Sequence, residues 1–191
     1  MMPGAARLRQ DELVSVLHLE IEQATARTLA LASELDEAAL QAAPPGGGWS
    51  VALILEHLCA THDPYAVLIR GLVERPDAPR AAPGAEWRAS LMGGWLFGAM
   101  RSPRRHRSPK VFRPAAAARP RVVQEFRRRQ DELEELLDRA APLDWRRLRA
   151  SSPASRLIRL NLGDCFTVTV AHTARHVGQM ERVVRFAGSP P

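Results

Sequence analysis

The chain has one lysine, Lys110, among its 27 basic residues, so almost all of its positive charge is carried by arginine. The formal charge of +6 bears on non-specific association and not on fold. Only two cysteines are present, Cys59 and Cys165, with no CxxC and no zinc-knuckle spacing. That excludes a disulfide framework and points to a reducing cytoplasm. Long apolar runs are missing. The most apolar stretch, SLMGGWLFGAM, is too short to span a bilayer, and MMPGAARLRQDELV has no apolar segment of signal-peptide length. A soluble cytoplasmic protein with no membrane partner is expected. What remains is ordinary for a folded chain: 46% hydrophobic residues over 191 positions, enough for one domain, 1–191.

Apolar spacing predicts an all-α protein. One long helix is expected from about Ala6 to Gln41 on Leu13, Val16, Leu17, Ile21, Ala24, Leu31 and Leu35, stopped by PPGGG at Pro44 to Gly48. A second is expected from Val51 to about Val73, capped by Ser50, with a kink or break at Pro64. Residues 75–120 form a Pro/Arg-rich insert. Within it GAEWRASLMGGWLFGAM can form a short, glycine-weakened helix over the bundle, and RSPRRHRSPKVFRP reads as irregular surface chain. A third helix is expected from about Arg121 to Ala141, with Arg127–Asp131 and Arg128–Glu132 as pairs of opposite sign. A fourth starts near Gly163 or Asp164, with Asp164 as cap and Gly188 as stop. LIRLNL alternates weakly, but a lone strand makes no sheet. Four long amphipathic helices imply a four-helix bundle, and the long link between helices two and three permits a crossover that leaves them parallel.

The histidines number six: His18, His57, His62, His106, His172 and His176. His172 and His176, four apart in AHTARHVGQMERVV, project from one helical face. They share it with Val168, Gln179 and Val183, a core-facing stripe on which an imidazole needs a partner. A metal supplies one solution, and hydrogen bonds to a neighbouring helix supply the other. In WSVALILEHLCATHDPY, His57 lies on the apolar side with Ile54, Leu58 and Thr61. His57, His172 and His176 together would give three neutral nitrogens with one open position, the pattern of a reactive zinc site. Nickel or iron also accepts such donors.

The segments GWSVALILEHL and AHTARHVGQMERV, with the KVFRP piece before helix three, resemble the DinB/YfiT-like superfamily, bacterial four-helix bundles named for a DNA-damage-inducible protein. The resemblance covers most of the chain. It implies an up-down-down-up bundle and a divalent metal, zinc or nickel first, held by His57, His172 and His176. It also implies a metal-dependent transferase or isomerase using a low-molecular-weight thiol such as bacillithiol or mycothiol. The 75–120 insert departs from the compact family pattern.

A metal-bound thiol is deprotonated and can attack an electrophile, and a metal-bound water can hydrolyse one; the residues do not choose between a small-thiol S-transferase and a hydrolase. Either would take a small-molecule substrate. Cys165 stands about 10 Å from His172 along the axis, too far to ligate. Cys59 reads as buried filler. His62 with Asp63 can line the bundle rim or lie on the surface ahead of Pro64. Gln179 can hold an imidazole, and Glu56 is a weak candidate base. Trp49, Trp87, Trp95 and Trp145 read as packing residues at helix ends. A non-catalytic, metal-stabilised bundle is one alternative. A basic nucleic-acid binder resting on Arg101 to Arg113 is another, disfavoured by the lack of any helix-turn-helix, zinc-finger or stacking pattern. Exposed helical stripes are compatible with a homodimer.

Overall fold

The structure is a computed structural model and describes residues 8–102, 104, 108–114 and 117–187. Those residues are mostly helical: α1 (Gln10–Ser33), the short α2 (Glu37–Gln41), α3 (Val51–Val73), α4 (Leu91–Arg101), α5 (Val122–Ala140) and α6 (Leu162–Ala187). Two antiparallel strand pairs accompany them. β1 (Leu8–Arg9) pairs with β2 (Glu86–Trp87), and β3 (Arg149–Ser152) pairs with β4 (Ser155–Asn161). No helix among the described residues is long and apolar enough to cross a membrane.

Local chemistry explains most element boundaries. The Ser50 hydroxyl accepts from the Leu53 amide at 3.2 Å and starts α3 where the cap was expected. The first helix does not reach Gln41. It ends at Ser33, and the Asp36 carboxylate accepts from the Ala39 amide at 2.7 Å to start α2 afresh. A short carboxylate offers the backbone an alternative to helical continuation, and here the alternative wins. The expected start near Ala6 lies outside the described residues, as do Gly188 and His106. Helix α3 runs through Pro64 without a break. The lost amide bond is outweighed by burial on the following turns, where Tyr65, Ala66 and Ile69 are all in the core.

Two expectations need correction in the connectors. The arginine- and serine-rich link after α5 is a hairpin, because LIRLNL finds its partner in RASS, with Arg149 opposite Asn161 and Ser151 opposite Arg159. The cap of α6 is Asn161, not Asp164. The Asn161 side chain accepts from the Asp164 amide, and the Asp164 carboxylate accepts from the Asn161 amide, both at 2.9 Å. This reciprocal arrangement is a capping box.

Helix α3 packs against α5 and α6, and α1 packs against the same two helices. Side-chain bonds from α3 to α5 and its leading segment rise in step along both: Glu56 to Arg119, Asp63 to Arg129, Arg70 to Glu132 and Glu74 to Arg139. Glu132 is therefore spent on α3. The expected Arg128–Glu132 pair does not form, and Arg128 sits 3.4 Å from Glu125 instead, while Arg127 lies 3.7 Å from Asp131 as expected. Near the other end, Gln10 donates to the carbonyls of Ala141 and Leu143, and His18 lies 3.0 Å from Asp138. One apolar cluster centres on Trp145 stacked on Phe166, and a second on Val51, Ile54, Leu55, Phe126 and Met180.

Helix α4 covers α6, as the glycine-rich segment suggested. Its junction with the start of α6 is built on two glycines. A Cβ on Gly93 would meet the Asp164 carboxylate at 2.1 Å, and one on Gly163 would meet the Trp87 indole nitrogen at 2.1 Å. That nitrogen donates to Asn161 at 3.0 Å, so Trp87 cannot simply move away. Gly93→Ala and Gly163→Ala are each expected to cost about 1–3 kcal/mol by overpacking. Gly71→Ala, with nothing within 4 Å of its Cβ position, is expected to be neutral or stabilising by about 0.5–1 kcal/mol. Thermal melts of the three variants check the contrast.

Candidate metal centre

Helices α3 and α6 face each other, and His57 of α3 meets the histidine pair on α6. His57, His172 and His176 each offer a ring nitrogen, and the three nitrogens lie within 4.8 Å of one another. His57 Nε2 stands 3.1 Å from His172 Nε2. Ring centroids are 5.0 Å apart for His57 and His172, 4.8 Å for His57 and His176, and 4.6 Å for the pair on α6, each tilted edge to face.

Two of the rings are fixed from behind. His57 Nδ1–H donates to the carbonyl of Phe112 at 2.5 Å, and His176 Nδ1–H donates to Gln179 Oε1 at 2.9 Å. Each bond commits the proton to Nδ1 and leaves Nε2 as a lone pair facing inward. Gln179 was expected as such a partner. The sequence does not reveal Phe112, because KVFRP reads as surface chain. In fact Lys110–Phe112 is a single 3-10 turn with Phe112 buried against Tyr65, ring centroids 6.1 Å apart. The signal available was the Val-Phe pair between prolines, an apolar anchor in an otherwise basic segment. Trp49 sits against His57, 4.9 Å between ring centroids.

Burial holds all three imidazoles neutral. It lowers the pKa of His57, against the pull of the Phe112 carbonyl. His172 is pushed well below its ordinary value by burial and then by repulsion from His176 and His57. His176 falls to about 3, again through burial first. Lone-pair nitrogens packed this closely repel unless a proton or a cation lies between them. Nitrogens held 2.0–2.1 Å from a tetrahedral ion would be roughly 3.3 Å apart, so the 3.1 Å approach of His57 and His172 fits a cation with little adjustment. Among the described residues no carboxylate or thiol joins the group.

The other candidates lie elsewhere. Cys165 and Cys59 are free and buried, and burial raises the Cys59 thiol to about 11. Glu56 faces away from the histidines and is gripped by Arg119 through contacts of 2.6–3.2 Å. Burial pushes its carboxyl up, but the arginine outweighs that and holds it below the ordinary range, which suits a structural anion and not a base. His62 lies neither on the rim nor on the surface. It is buried with both ring nitrogens unpartnered, its nearest charges being Glu132, Asp63 and Arg129, and burial lowers it to about 4. Asp63 pairs with Arg129 at 2.7 Å. Trp87 and Trp145 are buried as packing residues, whereas Trp95 stands exposed in mid-helix. Between the two histidines of α6, Arg175 donates to the carbonyls of Met100, Ser102 and Arg104, tying the end of α4 beside the site.

A family model of the DinB superfamily matches residues 20–180, and the chain belongs to that superfamily. None of the curated proteins and none of the solved structures compared with it matches significantly.

The ring resonances of His176 in the metal-free protein are expected to stay unshifted by NMR from pH about 8 down to about 5, since its folded pKa is about 3. Unfolding releases these rings to the ordinary value of 6.5, so the unfolded chain binds more protons and stability falls as pH drops below that value. A second acid loss comes from Glu56. Its depressed pKa gives stability that is present above the ordinary value of 4.5 and is lost as pH falls through the folded value. Denaturant midpoints for Glu56→Gln should fall less steeply below about pH 4.5 than those of the unsubstituted chain, while the histidine contribution, which starts near 6.5 and continues to about 3, is kept.

Proposed function

We propose that this chain is a divalent-metal-binding DinB protein in which His57, His172 and His176 hold zinc or nickel and leave one position for a small-molecule substrate, and that it acts as a metal-dependent small-thiol S-transferase or a hydrolase. The observation that carries this reading is the 3.1 Å approach of two Nε2 atoms in a neutral, buried, three-histidine group. Membership of the superfamily supports it.

A divalent cation there would supply Lewis acidity, enough to keep a thiol as its thiolate or to bring the pKa of a water toward roughly 7. The chain's own part is orientation and charge. The Phe112 carbonyl and Gln179 hold two rings in the tautomer a ligand needs. Burial keeps the rings unprotonated near neutral pH. Three neutral donors cancel none of a dication's charge, which favours an anionic fourth partner such as a thiolate or hydroxide. With Glu56 bound to Arg119, the substrate proton leaves to solvent or to the substrate's own groups.

The reading also takes 1–191 as one cytoplasmic domain, an up-down-down-up four-helix bundle of α1, α3, α5 and α6 with about 75–120 as its insert. The ladder of ion pairs rising together along α3 and α5 supports a parallel middle pair.

Protein purified without a histidine tag is expected to carry stoichiometric divalent metal by elemental analysis. His57→Ala, His172→Ala and His176→Ala should each lose it while keeping their helical circular dichroism. Stoichiometric metal in the triple variant would falsify the assignment. Gln179→Leu should weaken metal affinity roughly tenfold to a hundredfold. Conjugation of an electrophile that requires both metal and a small thiol supports the transferase, and turnover with metal and water alone supports the hydrolase.

A further inference from the structure

The segment SLMGGWLFGAM is the most apolar of the chain, yet its helix does not bury its largest side chains. Helix α4 presses its thin side, Gly93, onto Asp164 at the start of α6. The opposite side is left outward, with Leu91 93% exposed, Trp95 62% and Met92 36%. Leu91 and Trp95 are one turn apart and share a face. The neighbouring strand adds Leu157, 89% exposed. The Ser90 hydroxyl donates to the Arg159 carbonyl at 3.4 Å, so the start of α4 lies against β4, and Leu157 is on the same side of that strand as Arg159.

The charge carried by these two segments has one sign. No Asp or Glu occurs from Trp87 to Gln124, nor from Trp145 to Gly163. Arg88, Arg101, Arg156 and Arg159 are exposed, and among the described residues none of them makes a salt bridge to a carboxylate.

We propose that α4 and β4 form a peripheral docking surface for an anionic lipid bilayer, with Leu91, Trp95 and Leu157 entering the headgroup–acyl boundary and Arg88, Arg101 and Arg159 meeting lipid phosphates. Apolar tips with a rim of cations are what such an interface binds. A second copy of the chain fits less well, because a two-fold contact would set these arginines against themselves with no carboxylate in either segment. Nucleic acid would satisfy the arginines and leave the leucines and Trp95 in water. The sequence excluded a span, and no span is needed: eleven residues at 1.5 Å each reach about 16 Å and lie along the surface.

The test is co-sedimentation of the full, metal-loaded chain with vesicles of phosphatidylglycerol and phosphatidylcholine in equal parts, against pure phosphatidylcholine. Retention is expected on the first and little on the second. Leu91→Ser combined with Trp95→Ser should weaken it at least about tenfold, with metal content and melting temperature unchanged. Arg88→Glu and Arg159→Glu should each weaken it roughly fivefold and reduce its salt dependence. Equal retention on both vesicles, or no retention, overturns the proposal. So does a wild-type dimer in sedimentation equilibrium that the Leu91/Trp95 variant converts to monomer, which would assign the patch to a second copy. Binding to duplex DNA that displaces the vesicles and is unaffected by the Leu91/Trp95 variant would assign the arginines to phosphodiesters and also overturn it.

Discussion

Two imidazole nitrogens 3.1 Å apart across a helix–helix seam set the main constraint on this molecule. Both rings are too well buried to become imidazolium near neutral pH, and His57 has its one proton committed to the Phe112 carbonyl. Lone pairs brought together in this way repel unless something positive lies between them. In the metal-free chain a proton on His172 Nε2, donated to His57 Nε2, fills that place, and extensive packing holds the rings together. His57 is carried by a helix whose neighbouring residues Ile54, Leu55 and Leu58 are all in the core, and His176 is flanked by Val177 and Met180.

The surrounding fold makes sense as support for that seam. Ser50 fixes where α3 begins, and the capping box of Asn161 and Asp164 fixes where α6 begins, so the two helices present their histidines at matching depths. The ion pairs from α3 to α5 bind the back of α3 and use up Glu56 and Asp63 on structure. The connecting segment before α5 then returns to the seam with Phe112. What reaches the site from the chain is therefore neutral: three nitrogens, an amide and a carbonyl.

Much of this was legible in the sequence, because helical periodicity carries both the core and the site. Val51 to Val73 and Val122 to Ala140 read correctly from their apolar spacing and from Ser50. The i,i+4 spacing of His172 and His176, and the apolar face of His57, were enough to bring the three to one candidate group. The failures share a cause, which is that partners distant in sequence decided them. The hairpin needed RASS opposite LIRLN, and neither strand signals on its own. Glu132 looked equally able to pair along its own helix, until Arg70 of α3 took it. His62 looked like a surface residue beside Pro64, but packing buried it with both nitrogens unpartnered. Phe112 anchors a segment whose charge made it look solvated, and the contact it makes to His57 is through its backbone, which side-chain patterns do not reveal.

The most direct measurement is X-ray absorption spectroscopy of the protein loaded with zinc or nickel. A shell of three imidazole nitrogens at about 2.0–2.1 Å, with the outer-shell scattering of histidine rings and one further light atom that changes when a small thiol is added, is the expected spectrum. A shell made up of oxygens alone, or a spectrum unaltered by His57→Ala, would contradict the central claim that these three rings hold one ion.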